Sequence, residues 1–374
     1  MDEIIIQKIN EKLQIIVLEK GKIVELYEYD ENNIPKLGNV YIGQINDVVP
    51  SMNTLFVDIG FEKAGYLQLD NFDKKYKNGE KILVQIKKDE TYSKGAKLSD
   101  KLSISGKYVV LLLNSNIVTC SRKIIEDKKE SLISCVKSVL PDNIGAIIRT
   151  EAENIDESIV TNEIKELLKK IDKINEKIQE DEVGLIYDAS SIENKILFDM
   201  IKSTTKKIYI NDESIYNMLL MAIEDYKKDG LISHIPEISY SNTNYVDEFG
   251  LLSEYENVFD RKIWLKSSGY IAVDKTEALT AIDVNTGKFL GKNEQEKEEI
   301  AFETNKEAVY EVAKQIRLKN LGGIIVVDFI NMEEISHKDE ILRILEEKVK
   351  KDRSRVEVYG FTRLGLVEIA RKRI

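Results

Sequence analysis

Two aspartates stand at the ends of apolar, strand-like runs. Asp283 closes the run from Thr276 to Asn285, and Asp328 lies in the run from Gly322 to Ile330. The polar-amphipathic stretch between them has helical spacing. Strand, crossover helix and strand make a βαβ unit, whose strands pair in parallel. If the two strands are neighbours, both carboxylates leave the same sheet edge on strands about 4.8 Å apart. Carboxylates that close repel unless a proton or a hard cation sits between them, and oxygen donors of this kind suit Mg²⁺. Asn285, two residues past Asp283, points to the same side of an extended chain, where it can orient a carboxylate or hold a ligand water. Strand-end aspartates also cap the element that follows, and spacing alone leaves that reading open.

Other residues carry weaker signals. Arg149-Thr150 ends a further strand, and a guanidinium fork beside a hydroxyl suits a phosphate monoester; by spacing alone a surface arginine is the commoner outcome. Phe56 and Tyr66 lie on consecutive short strands, with Lys87, Lys88, Lys94, Lys97 and Lys101 close behind. Stacking rings beside a basic rim are what single-stranded nucleic acid requires, whereas core aromatics and solvated lysines are the plainer alternative. Arg355, Arg363, Arg371, Lys372 and Arg373 make the last stretch locally basic; it could hold a polyanion, though solvated charge is the commoner outcome. Gly322-Gly323 reads as the cap of the crossover helix.

The elements that must position these groups read as follows. Ile4–Ile6, Leu13–Leu18 and Ile23–Tyr29 form a small sheet, its last two strands joined through Glu19-Lys20-Gly21-Lys22. From 37 to 105 short strands broken by Gly, Pro and Asn (Val40–Val49, Thr54–Ile59, Gly65–Gln68, Lys81–Lys87) suggest a small closed barrel, with the oligonucleotide-binding fold as the leading candidate. Residues 106–192 read as α+β, with helices near Glu126–Leu140 and Glu157–Gln179. Helices at Ile192–Ser203 and Glu213–Tyr226 could cover the N-terminal sheet. The last unit, 259–374, holds the βαβ, a helix near Asp339–Lys351 and a final strand at Arg355–Tyr359. The fold class is therefore a multi-domain mixture of α/β and α+β.

Composition excludes several classes. The chain has 374 residues and a net charge of −11, which argues against a generally basic coat but not against a basic cleft. Two cysteines, Cys120 and Cys135, cannot make a disulfide framework or a CxxC knuckle. No signal peptide and no apolar run of membrane-spanning length is seen, so the expected location is the cytoplasm. The two histidines, His234 and His337, sit at no apolar strand end, which disfavours two-histidine ribonuclease chemistry and favours a metal-activated water. Walker A, GxGxxG, HExxH and GxSxG patterns are absent.

Taken in order, Phe56-Val57-Asp58-Ile59-Gly60, Ile148-Arg149-Thr150, Thr276–Asn285, Gln315–Met332 and Gly365–Arg373 resemble the signatures of the ribonuclease E/G family. The resemblance implies a ribonuclease-H-like unit split between 1–36 and 193–258, structural and without catalytic carboxylates of its own. It implies an inserted barrel (37–105), a 5′-end sensor (106–192) and a deoxyribonuclease-I-like catalytic unit (259–374). Asp283 and Asp328 would be the Mg²⁺ ligands, with Mn²⁺ able to substitute, and Asn285 would support them. Phe56, Tyr66 and Lys94 would hold RNA, with Tyr66 standing where phenylalanine is commoner. Gly106, Val110, Arg149, Thr150 and Arg355 would grip a 5′-monophosphate. The implied activity is endonucleolytic cleavage of single-stranded, AU-rich RNA, leaving 3′-hydroxyl and 5′-phosphate ends, in rRNA and tRNA maturation and mRNA decay. The family usually continues into a CPxC zinc-link and a small dimerisation domain, whereas this sequence ends at Ile374; no zinc is expected, and a homodimer is left open. A non-catalytic RNA-binding scaffold and a phosphodiesterase acting on DNA are the competing readings.

Overall fold

A computed structural model describes residues 2–30, 36–70, 76–90, 94–179, 182–189, 191–228, 230–231, 234–287 and 293–372. The chain groups into two compact units, 1–29 with 206–212 and 238–374, and 30–205 with 213–237.

The first unit contains two sheets. The smaller has the order Glu237–Tyr240, Thr205–Ile210, Asp2–Ile9, Lys12–Glu19, Lys22–Asp30. Its hairpins turn through Asn10-Glu11 and Lys20-Gly21, all four with positive φ, the geometry that matches strand twist in two-residue turns. Helices Tyr245–Glu248 and Leu252–Val258, with Leu251 between them, bury its Ile5 and Ile16 under Tyr245, Val246, Leu251 and Val258. Glu25 of this sheet is fully buried between Arg317 Nε (2.7 Å) and Arg353 Nε (3.0 Å), with the Tyr27 hydroxyl donating at 2.9 Å. Burial pushes its carboxyl up, but Arg353 and Arg317 more than offset this and hold it below the usual carboxylate value.

The larger sheet has six strands in the order Lys262–Trp264, Tyr270–Lys275, Leu279–Asn285, Gly323–Asp328, Leu366–Arg371, Val356–Phe361. Its one parallel pair is Leu279–Asn285 with Gly323–Asp328, joined by the crossover helix Glu294–Leu318. That helix and Ile335–Val349 cover one face: Ile271, Ile282, Ile325 and Val327 meet Ala308, Val312 and Ile344 in a shared core. The opposite face keeps the alternate residues.

Two expectations are corrected here. Arg355–Tyr359 is not the last strand: Leu366–Arg371 follows and inserts beside Gly323–Asp328, because its Val367 and Ile369 alternate into the core. This removes Arg371 from the basic tail, since it is 2% exposed, pairs with Asp352 at 2.9 Å and donates to Asn320 Oδ1 at 2.7 Å. Arg373 lies outside the described residues. The helix cap is Asn320 rather than Gly322-Gly323. Asn320 has φ 46°, and the bonds Leu321 N to Ile316 O (3.0 Å) and Asn320 N to Arg317 O (3.2 Å) make a Schellman ending, where asparagine tolerates the left-handed conformation.

The second unit holds a closed five-stranded barrel of the oligonucleotide-binding kind. Its strands run Val40–Val49, Thr54–Asp58, Gly65–Gln68, Lys97–Ser99, Lys81–Lys88 and back to the first. Leu55, Val57, Leu67 and Leu98 fill it. Gly184–Tyr187 pairs outside against the first barrel strand. A four-stranded sheet, Val118–Cys120, Ile144–Ile148, Val109–Leu113 and Ser103–Ser105, packs on helix Glu157–Gln179 through Ile164, Leu167 and Ile171. The helices at 192–200 and Glu213–Lys228 group with this unit. Phe198 meets Tyr226 edge-on, and the buried Lys107 ammonium binds the carbonyls of Leu197 and Ile201. No helix among the described residues is long and apolar enough to cross a membrane.

Candidate active site

The parallel register sets Asp283 directly opposite Asp328. Cross-strand partners share a face, and the inward alternation of Ile282, Val284 and Val327 sends both aspartates to the uncovered side, where both are exposed. Asn285 Nδ2 donates to Asp283 Oδ2 at 2.6 Å, so three of the residues singled out from the sequence do lie together. Asp328 makes no side-chain hydrogen bond or ion pair with another described residue. Nearby on the same face, Asp274 is already neutralised by a two-pronged pair with Arg261, both contacts 2.6 Å. Among the described residues no three His, Cys, Asp or Glu side chains converge. A closed all-protein cage is thus not the design; two adjacent carboxylates with an amide beside them fit a cation that keeps most of its waters, as Mg²⁺ does.

The crossover helix holds two of the loops at this edge, which the sequence did not disclose. Asn305, fully buried, donates to Ile330 O (2.7 Å) and accepts from Ile330 N (2.9 Å), fixing the chain just after Asp328. Two residues on, Glu307 accepts from the backbone N–H groups of Lys266 and Ser267. That turn lies against the Asp283 strand: a Cβ on Gly269 would come within 2.6 Å of Asn285 O. Glu298 likewise accepts from Glu333 N at 2.8 Å and pairs with His337 at 2.7 Å. The available signal was a polar residue, Asn305, on the apolar stripe of an amphipathic helix.

On the barrel, Phe56 and Tyr66 are direct cross-strand partners, and Tyr66 stands opposite Lys97, itself opposite Lys88. The two rings are half-buried and the lysines exposed. Lys94 is exposed on the segment leading into the Lys97 strand. Lys101 pairs with Asp70 at 2.5 Å, and Lys87 donates to Gln85 Oε1 at 2.7 Å.

The proposed phosphate-binding residues are only partly gathered. Arg149 Nη1 donates to Gly106 O and Nη2 to Asp199 Oδ1, each at 2.8 Å. Thr150 shares a 2.8 Å hydrogen bond with Ser121. Val110 pairs with Ile147 in the same sheet. Gly106 is dictated by packing: a Cβ there would lie 2.6 Å from the Glu163 carboxyl carbon, and that buried carboxylate accepts from the N–H groups of Lys107, Tyr108 and Val109 at 2.6–2.9 Å. Arg355 belongs to the other unit, where it pairs with Glu357.

Fold and site define a mixed α/β protein with an oligonucleotide-binding type of barrel and an open sheet edge bearing paired carboxylates. The profile of the ribonuclease E/G family matches residues 103–374. Ribonuclease G of Escherichia coli (strain K12) is 30% identical over 399 residues, covering 99% of this chain and 80% of that protein. Ribonuclease G of Haemophilus influenzae is 30% identical over 390 residues, covering 96% and 77%. Ribonuclease E of Escherichia coli (strain K12) is 30% identical over 390 residues, covering 97% of this chain but 36% of the longer protein. The chain belongs to the ribonuclease E/G family.

Proposed function

We propose that this chain is a Mg²⁺-dependent endoribonuclease of RNA processing, cutting single-stranded RNA at the Asp283–Asp328 edge. The observation that carries the reading is the in-register pairing of these aspartates on the open face, with Asn285 bonded to one of them. Asp283 and Asp328 would hold the metal, which when bound polarises the scissile phosphate and acidifies a water. Asn285 keeps the Asp283 carboxylate turned toward the edge. Asn305 and Glu307 hold the flanking loops, so the carboxylates would hold the cation without reorganisation. Cleavage breaks the bond to the 3′ oxygen, leaving a 3′-hydroxyl and a 5′-phosphate.

The barrel row Lys97–Tyr66–Phe56 supports binding of unpaired bases by stacking with backbone neutralisation. Preference for 5′-monophosphate ends is proposed on Arg149 and Thr150, with the terminal phosphate taking the place of Asp199 on the guanidinium. We further read 1–36 with 193–258 as ribonuclease-H-like, 259–374 as deoxyribonuclease-I-like, and AU-rich segments of ribosomal, transfer and messenger RNA as substrates. The test is cleavage of one short AU-rich RNA bearing a 5′-monophosphate or a 5′-hydroxyl, with Mg²⁺ or EDTA. Mg²⁺-dependent cutting that is faster on the monophosphate is expected. Equal rates on the two ends would remove the sensor, and intact RNA in every condition would remove the nuclease.

A further inference from the structure

The carboxylate face carries an aromatic platform that the reading above does not use. Lys262 stands opposite Ala272, which stands opposite Asp283; Trp264 stands opposite Tyr270, which stands opposite Asn285. Lys262, Trp264 and Tyr270 therefore share the face of Asp283, Asn285 and Asp328. Ile263 and Ile271, with opposite parity, pack against the core behind. Trp264 is 64% exposed on the edge strand. Its ring meets Tyr270 edge-on with centroids 5.4 Å apart. The Lys262 ammonium lies 4.1 Å from the Trp264 ring centre and 3.6 Å from that of Tyr270.

An indole held by a tyrosine edge and left mostly in water is not core packing. Large exposed rings of this kind mark binding surfaces. Trp264 lies two strands, about 10 Å, from Asn285, within reach of a base adjoining a phosphate held at the carboxylates. Every base has a π-face, and the ammonium beside the rings complements the phosphodiester that any such base brings. We propose that Trp264, supported by Tyr270 and Lys262, is a stacking subsite for an unpaired base flanking the scissile phosphate of single-stranded RNA. The subsite rests on the nuclease reading and adds to it a substrate contact within the catalytic sheet itself, distinct from the barrel rings.

Trp264 is the single tryptophan of the chain, so its emission reports this position alone. The experiment titrates the full chain carrying Asp283→Asn with a short single-stranded RNA while following tryptophan fluorescence. The same RNA with one abasic nucleotide beside the cleavage position is the control. In the otherwise native chain, Trp264→Ala and Trp264→Phe are then assayed for cleavage. Quenching by the intact RNA that the abasic RNA fails to produce is expected. Trp264→Ala should raise KM roughly 5- to 100-fold with kcat nearly kept, the range of one lost base–aromatic stack, and Trp264→Phe should recover most of it. RNA that binds the Asp283→Asn chain with emission unchanged while the native chain cuts it, or a Trp264→Ala chain matching the native one, overturns the subsite and leaves the nuclease standing. A native chain that neither binds nor cuts RNA overturns both.

Discussion

The sheet edge at Asp283 and the corner at Arg149 are built from the same kinds of group and treat them in opposite ways. At the corner, Arg149 is clasped by Gly106 O and Asp199, and the Glu163 carboxylate takes three backbone N–H groups. Glu25, between two arginines, follows the same pattern. At the edge, two carboxylates stand in register, and among the described residues the pair takes one side-chain hydrogen bond, from Asn285. Charges supplied with internal partners stabilise a fold; charges brought together and left in water are available for a ligand. The contrast separates Glu163 and Glu25, bound into the fold, from Asp283 and Asp328, open to a ligand; Arg149 would meet a phosphate by releasing Asp199.

The first way to break this comparison is to remove a working charge. Asp283→Asn should lower turnover by at least about 100-fold, since metal-assisted charge stabilisation supplies several kcal/mol. Its melting temperature should stay near that of the native chain, because the residue is exposed. A large thermal shift would place Asp283 with the structural group. The converse is Glu163→Ala, which strands three buried N–H donors at about 1–3 kcal/mol each. Its thermal unfolding should fall steeply, and a stable variant would deny the corner its structural role.

Asn305→Ala tests whether the edge is positioned by the helix behind it. Loss of both bonds to Ile330 should cost about 1–3 kcal/mol of stability and lower kcat, while Mg²⁺-independent RNA affinity holds. Asp199→Asn sharpens the comparison at the corner. Weakening its grip on Arg149 should raise the preference for 5′-monophosphate ends a few-fold, an effect on the order of 1 kcal/mol, read from the ratio of rates on the two ends. Acid titration gives a further check. Because the Glu25 carboxyl is held below its ordinary value of 4.5, its contribution is full above that value and is lost as pH falls through the depressed one. Unfolding followed by circular dichroism should show this decline, and Glu25→Gln should be less stable at neutral pH.

How much of this was legible in the sequence depends on how local the cause is. Asp283, Asn285 and Asp328 could be read because alternation fixes which side a strand residue takes, and because two strands joined by a crossover helix pair in parallel. The Lys20-Gly21 hairpin and the barrel strands were equally local. The insertion of Leu366–Arg371 beside Asp328 was not legible, since pairing between strands so far apart in the chain leaves no periodic trace. Arg371 looked like solvated charge because its partner, Asp352, meets it only through that insertion. Asn305 was hidden for a similar reason: its partner is the backbone of Ile330, which any sequence would offer. Trp264 carried no signal of its own in the sequence; only the register puts it beside Tyr270 and in line with Asn285.

The most direct test of the paired edge is single-turnover cleavage by the native chain, Asp283→Asn, Asp328→Asn and the double variant, all at saturating Mg²⁺. Groups that act as one unit are strongly non-additive, so the double variant should be about as slow as either single one. Independent losses that multiply, or a single variant cutting at the native rate, would contradict a shared site at Asp283 and Asp328.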